Sequence, residues 1–255
     1  MTDTVPGVPM YGGSPFAGKV ALVFGGSRGI GKAIVLRLAR DGASVALTYL
    51  TSADKAHDVV QLVTAGEAQG VAIQADSADP EAVRAAVEQT VERFGRLDIV
   101  VVNAGVFILG AVDALSLEDF DRMVATNVRG VFAGIHYGAP HMTAGGRIVT
   151  IGSNTAERTA FPGASVYAMT TAAVAALVRG AAIDLAPRGI TVNNVQPGPT
   201  LTDVTADLVD QSVPLMPIGR MGEPAEIAGL VAYLASAEAA FVTGSSLTID
   251  GGYLA

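Results

Sequence analysis

From residue 20 onward, short apolar runs alternate with longer stretches whose apolar residues recur every three to four positions. The runs at 20–24, 44–49, 70–74, 99–103, 146–151, 191–196 and 246–250 predict strands. They are short, rich in Val and Ile, and bounded by glycine or polar residues. Helical spacing fits 29–41, 54–68, 80–94, 117–142, 164–186 and 223–236, and in the first of these Ile30, Ile34, Leu38 and Ala39 share a face. Apolar strands without a polar face, separated by helices, predict an α/β fold with a doubly wound parallel sheet of about seven strands and helices on both faces. No repeat or linker interrupts the alternation, so residues 17–255 read as one domain and 1–16, with Pro6, Pro9 and Pro15, as a flexible tail. Residues 198–222 break the rhythm with Pro199, Pro214 and Pro217, and predict a flap.

Composition narrows the class. Half of the 255 residues are hydrophobic, enough for a sizeable core. The net charge of −8 argues against nucleic acid as a partner. There is no cysteine, hence no disulfide framework and no thiolate metal site. His136 and His141 are five apart, which misses the one-face helical spacing, so no metal is expected. No apolar stretch reaches the ~20 residues of a membrane span. The most apolar helix, 172–183, is interrupted by Arg179. The first residues lack the basic start and apolar middle of a secretory signal. The expectation is a soluble, cytoplasmic protein with no membrane partner.

The chemistry concentrates where strands end. The first strand runs into Gly25-Gly26-Ser27-Arg28-Gly29-Ile30-Gly31, with four glycines in seven residues, and a helix follows at once. Strand, glycine turn and helix N-terminus offer bare backbone amides to a phosphate. Asp76-Ser77 follows the third strand, Asn103-Ala104-Gly105 the fourth, Gly152-Ser153-Asn154 the fifth, and Pro197-Gly198-Pro199-Thr200 the sixth. In open parallel sheets this edge is where ligands bind. Taken singly, Ser153 reads as a turn cap, Tyr167 as an interface aromatic, Asn127 as a helix-kink residue and Asp76 as a turn aspartate.

In register, these motifs resemble the short-chain dehydrogenase/reductase family over nearly the whole chain. The resemblance rests on the glycine loop, Asn103-Ala104-Gly105, Asn127, Ser153, Tyr167, Pro197-Gly198 and the ending Thr248-Ile249-Asp250-Gly251-Gly252. Phe24 and Val102 depart from the family's usual Thr and Asn, and one extra residue separates Ser153 from Tyr167. The resemblance implies a Rossmann-type fold, a nicotinamide coenzyme and an oligomer, a tetramer. It implies that Tyr167 exchanges a proton with a carbonyl oxygen, that Ser153 hydrogen-bonds that oxygen, and that Asn127 holds a helix bend and a relay water. Asp76 would accept from adenine, Ser77, Asn103, Ala104 and Gly105 would border the coenzyme, and Pro197, Gly198, Thr200 and Thr202 would cover the nicotinamide and diphosphate.

One departure matters most. The family reads Tyr-x-x-x-Lys, and here Thr171 occupies the lysine position, with Lys19, Lys32 and Lys55 the only lysines in the chain. In the family that ammonium holds the nicotinamide ribose and lowers the tyrosine pKa. A chain without it is expected to bind coenzyme and turn over slowly, and a natural variant and an introduced Lys→Thr replacement read the same way. Coenzyme choice follows from the second strand end, Tyr49-Leu50-Thr51-Ser52, which offers no carboxylate for a ribose 2′-OH. Arg28 offers a guanidinium fork for a 2′-phosphate, with Thr51 and Ser52 adding hydroxyls, so NADP(H) is expected. Residues 106–111 and 200–216, with the apolar Phe107, Ile108, Leu109, Val204, Leu208 and Met216, predict the wall of a pocket for a hydrophobic carbonyl or alcohol substrate. Two readings stand: an NADP-dependent carbonyl reductase or alcohol dehydrogenase, similar to the 3-oxoacyl-carrier-protein reductases, and a non-catalytic nucleotide binder of the cyclic-di-GMP-binding biofilm dispersal type.

Overall fold

A computed structural model describes residues 14–159 and 161–255. Its centre is a seven-stranded parallel sheet: β1 (Val20–Phe24), β2 (Ser44–Tyr49), β3 (Gly70–Gln74), β4 (Ile99–Val102), β5 (Arg147–Ile151), β6 (Thr191–Pro197) and β7 (Ser246–Ile249), in the order β3-β2-β1-β4-β5-β6-β7. The helices are α1 (Gly29–Arg40), α2 (Ala53–Ala65), α3 (Pro80–Phe94), α4 (Leu117–Val124), α5 (Gly130–Gly138), α6 (Ser165–Leu185), a single turn α7 (Val209–Ser212) and α8 (Pro224–Ala235). The doubly wound architecture expected from the sequence is the one observed.

Alternate strand residues feed two cores. Ala21, Val23 and Val45 pack under α1, α2 and α8 through Ile34, Leu38, Val59 and Val231. Leu22, Phe24 and Ile148 pack on the other face under α3, α5 and α6 through Val83, Val87, Val131 and Val178. Burial on both sides explains why β1 and β4 have no polar positions. The chain winds one way from β1 to β3 and the other way from β4 to β7, so the crevice beyond the carboxyl ends opens between β1 and β4.

Several expected boundaries shift for physical reasons. The predicted helix 117–142 is not one α-helix: a π-turn at Ala125–Arg129 separates α4 from α5, and a 3-10 turn at Ala139–His141 ends the run. The helical run Ser165–Arg188 is long and apolar enough to cross a membrane by length and composition, contrary to the expectation that no stretch reaches that length. Its buried side, including Thr170, Thr171, Val174 and Val178, packs into the domain beside β6. Most of the expected tail, residues 1–13, lies outside the described residues. Its last part is corrected: Phe16 is buried in the core, and its amide donates to the Asp41 carbonyl at 2.9 Å.

Residues 198–222 form an excursion tied at its base. The Leu201 amide donates to the Gly222 carbonyl at 2.8 Å and the Gly222 amide to the Pro199 carbonyl at 2.9 Å. Arg220 grips Glu226 on α8 with two donors at 2.8 and 2.7 Å, which pulls that carboxyl down to about 2.

Across the sheet bottom, Asp98 accepts from Arg96 at 2.7 and 2.6 Å, from the Val20 amide at 3.0 Å and from Lys19 at 3.4 Å. Burial alone raises its carboxyl pKa, but these donors win and hold it below the usual carboxylate range. Its stabilising contribution is therefore present above the unfolded pKa of about 3.9 and is lost as pH falls through the lower folded value. Asp98→Asn is expected to cost about 1–2 kcal/mol at neutral pH. Arg96 and Lys19 are half-exposed and return to water, which keeps the loss small. In urea unfolding, the gap to the parent closes as the acid range is entered.

Candidate active site

The glycine loop is built for close approach. Gly25 and Gly29 hold positive φ of 73° and 54°, which side chains rarely adopt. A Cβ on Gly31 would lie 2.1 Å from the Gly25 carbonyl oxygen, and one on Gly25 would lie 2.9 Å from the Ala104 Cα. The loop is pinned from behind: the Asn103 side-chain amide donates to the Gly25 carbonyl at 2.9 Å, and the Gly25 amide donates to the Thr48 hydroxyl at 3.0 Å. Arg28 precedes α1 in extended backbone and makes no side-chain cap. The amides of Gly29, Ile30 and Gly31 thus open the helix with no capping side chain, as an anion site requires. This cradle fits a dinucleotide pyrophosphate.

The predicted catalytic residues divide. Ser153 is buried and its Oγ accepts from the Thr155 amide at 3.2 Å, so it caps a 3-10 turn while its own O–H stays available to donate. Tyr167 stands in the first turn of α6, with Phe107 edge-on at 4.8 Å between ring centroids. The protein around it pushes the phenol pKa up by desolvation, and the Ser153 hydroxyl draws it back only in part. Thr171 does not reach the cleft. It is 4% exposed, donates back to the Ala168 carbonyl at 3.0 Å, and lies 3.2 Å from the Thr155 hydroxyl. Asn127 sits in the π-turn, where its side chain donates to the Val106 carbonyl at 2.9 Å and to the Thr170 hydroxyl at 3.2 Å and accepts from the Val106 amide at 2.8 Å.

A cleft of about 510 Å³ joins these parts. Ser153, Tyr167, Pro197, Gly198, Thr200, Thr202 and Ile30 all line it. Its apolar wall holds Phe107, Leu109, Val204 and Leu208 as expected, while Ile108 and Met216 are absent from the lining. Met216 is buried beside a smaller cavity with Ile218 and Ile227. Gln211 and Leu215 join the wall from within 200–216, as expected, and Phe161 and Tyr253 join it from outside the expected segments. Of the other expected coenzyme residues, Gly25, Ser27, Arg28, Gly29, Gly31, Tyr49, Thr51, Ser52, Asp76, Ser77, Asn103, Ala104 and Gly105 are not part of this lining. Asp76 is exposed and accepts from the Ala78 amide at 2.8 Å, the turn role of an Asx residue. Gly105 faces the Asn127 side chain, which a Cβ there would approach to 3.5 Å.

Residues 25–254 match the family model described as enoyl-(acyl carrier protein) reductase. The chain belongs to the short-chain dehydrogenase/reductase family. It is 44% identical over 241 residues to the cyclic-di-GMP-binding biofilm dispersal mediator protein of Escherichia coli, covering 93% of this chain and 98% of that protein. It is similar to the solved short-chain dehydrogenase/reductase of Serratia marcescens, with 56% identity, TM-score 0.93 and coverage of 94% and 100%. A Burkholderia cenocepacia short chain dehydrogenase solved in complex with NADP superposes with TM-score 0.92 at 48% identity, covering 94% of this chain and 100% of that one.

In this short-chain dehydrogenase/reductase, several partners of the candidate residues carry no signal in the sequence. Thr155 and Thr170 hold Thr171 and Asn127, and the Asn154 side chain donates to Asp250 at 3.3 Å below Gly198. A Cβ on Gly198 would fall 2.4 Å from the Asp250 Cβ, which explains glycine at that turn. Lys55 on α2 pairs with Asp203 of the 198–222 excursion at 2.7 Å. These pairs join distant segments and leave no local signature.

Proposed function

We propose that this protein is an NADP(H)-dependent oxidoreductase that interconverts a hydrophobic carbonyl compound and its secondary alcohol, with turnover slowed by threonine at the lysine position. The observation that carries the reading is the meeting of Ser153 and Tyr167 in one cleft that also takes in Ile30 of the glycine loop and Thr202, which packs against Gly29. The nicotinamide, when bound, supplies or accepts the hydride. Tyr167 gives its proton to the carbonyl oxygen during reduction and takes it back during oxidation. The Ser153 O–H donates to the same oxygen and stabilises charge developing there. Asn127 keeps the π-turn by pairing with both backbone groups of Val106, and holds Thr170 beside Tyr167. Purified protein titrated with NADPH, followed by a panel of carbonyl compounds, tests the reading. Failure to bind either pyridine coenzyme overturns it.

Preference for NADP(H) is supported by the rim. Arg28 is exposed at the loop and the end of β2 carries hydroxyls but no carboxylate. Arg28→Ala is expected to weaken NADPH binding about 10- to 100-fold, the span of one or two charge-assisted hydrogen bonds. NADH binding should change little. Equal losses for both coenzymes would remove Arg28 from 2′-phosphate recognition.

A second reading, non-catalytic nucleotide binding, is favoured by the burial of Thr171 against Thr155 and by the relative in Escherichia coli named for cyclic-di-GMP binding. Calorimetry separates them: tight cyclic-di-GMP binding without turnover supports the second. A homo-oligomer, a tetramer, is supported by the exposed Phe132 on α5 and Met169 and Ile183 on α6. Sedimentation equilibrium measures it.

A further inference from the structure

The excursion 198–222 is fastened to the rest of the domain at two places of different strength. Its base is held by the paired backbone bonds of Leu201, Gly222 and Pro199 and by the double grip of Arg220 on Glu226. Its outer part crosses the mouth of the glycine loop. Thr202 packs against the first residue of α1, where a Cβ on Gly29 would meet the Thr202 methyl at 3.4 Å. The next residue, Asp203, extends its carboxylate to Lys55 in the first turn of α2, 148 positions away in sequence, at 2.7 Å. Arg28 and Lys32 also bear on that carboxylate and, after Lys55, help to lower its pKa. An anion of the excursion is thus paired directly with a cation of α2, and the charges of Arg28 in the glycine loop and Lys32 on α1 act on it at longer range.

We infer that Asp203 occupies the phosphate subsite of the coenzyme rim as an internal stand-in, and that the 2′-phosphate of NADP(H) displaces it. The inference rests on the NADP(H) reading above. A 2′-phosphate and a carboxylate present the same chemistry to this cluster: oxygen acceptors and negative charge matched to ammonium and guanidinium donors. Both partners of the Lys55–Asp203 pair are more than half exposed, so the pair is weak and easily exchanged for a group of higher charge. NADH brings no 2′-phosphate and leaves the pair in place. Asp203 thus taxes NADPH binding and ties release of the excursion to the arrival of that coenzyme. No covalent step is involved.

The test is Asp203→Asn, which keeps the side-chain shape and removes the charge at an exposed position. Dissociation constants for NADPH and NADH are measured by coenzyme fluorescence on the full chain, with adenosine 2′,5′-bisphosphate as a probe that carries the phosphate but no nicotinamide. The expected result is NADPH and the bisphosphate binding about two- to fivefold tighter, the range of exposed ion pairs, with NADH unchanged. Adding Lys55→Met to Asp203→Asn should cancel the gain. Weaker binding of both coenzymes would show that Asp203 only latches the excursion, and overturns the exchange. Unchanged constants place the carboxylate outside the subsite and overturn it too. If the parent protein binds neither coenzyme, the NADP(H) reading falls with it, an outcome distinct from binding that ignores Asp203.

Discussion

Thr171→Lys is expected to raise the rate of carbonyl reduction by about 100-fold or more, the scale of competent general acid catalysis. The reason lies in the surroundings of Tyr167. Desolvation raises its phenol pKa, the Ser153 hydroxyl opposes this only in part, and no cation contributes. The hydroxyl that stands one helical turn on, at Thr171, is spent on the Ala168 carbonyl and on Thr155. An ammonium introduced there favours the phenolate and so lowers the cost of giving up the proton, by about 1.4 kcal/mol for each pKa unit. The same charge acts on the reverse reaction. Alcohol oxidation needs the deprotonated tyrosine, so in the parent its rate climbs past the ordinary phenol value of about 10. In Thr171→Lys the climb levels at lower pH. A Thr171→Met control supplies length without charge and should gain nothing. A lysine variant that binds NADPH and keeps the parent rate and pH profile would show that the missing charge is not what limits turnover.

The sequence is most transparent where one residue's environment is set by its neighbours in the chain. Strands β1 and β4 are buried on both faces, so every position is apolar and the run stands out. The glycine loop is legible because its requirement is local backbone geometry at Gly25 and Gly29. Legibility ends where partners come from afar. The π-turn at 125–129 is fixed by Asn127 reaching Val106, a tertiary contact that periodicity does not register. Within the expected wall 200–216, the chain folds into short turns that send Met216 inward and leave Leu215 at the cleft, which apolar content alone does not distinguish. The apolar length of the 165–188 run is masked in the sequence because Arg179 sits on its exposed side and interrupts only the sequence pattern. Lys55 and Asp203 carried no signal at all, being ordinary charges until the excursion crosses to α2.

The same chemical change, glycine to alanine, should act with opposite sign at two helical positions. At Gly31 the added methyl meets the Gly25 carbonyl oxygen at 2.1 Å and the Asn103 amide nitrogen at 2.6 Å, the two atoms of the hydrogen bond that pins the loop. A backbone carbonyl cannot rotate away as a side chain can. Either α1 retreats from the sheet edge, against the packing of Ile34 and Leu38, or the loop swings and breaks the Asn103 bond. Overpacking of this kind costs about 1–3 kcal/mol. In both cases the amides of 29–31 leave the positions where they converge on a pyrophosphate. With each charge-assisted bond worth about 1.5–3 kcal/mol, Gly31→Ala should weaken either pyridine coenzyme by about 100-fold. Gly229, inside α8, meets only the end of the Arg37 guanidinium at 3.7 Å. Alanine there should stabilise the fold by about 0.5–1 kcal/mol through helix propensity and leave coenzyme affinity unchanged. Thermal unfolding and coenzyme titration of the two variants side by side separate a cradle shaped by glycine from a helix that merely contains one. Retained affinity in folded Gly31→Ala would remove the loop from coenzyme binding, since no pyrophosphate could then depend on the spacing between Gly25 and α1.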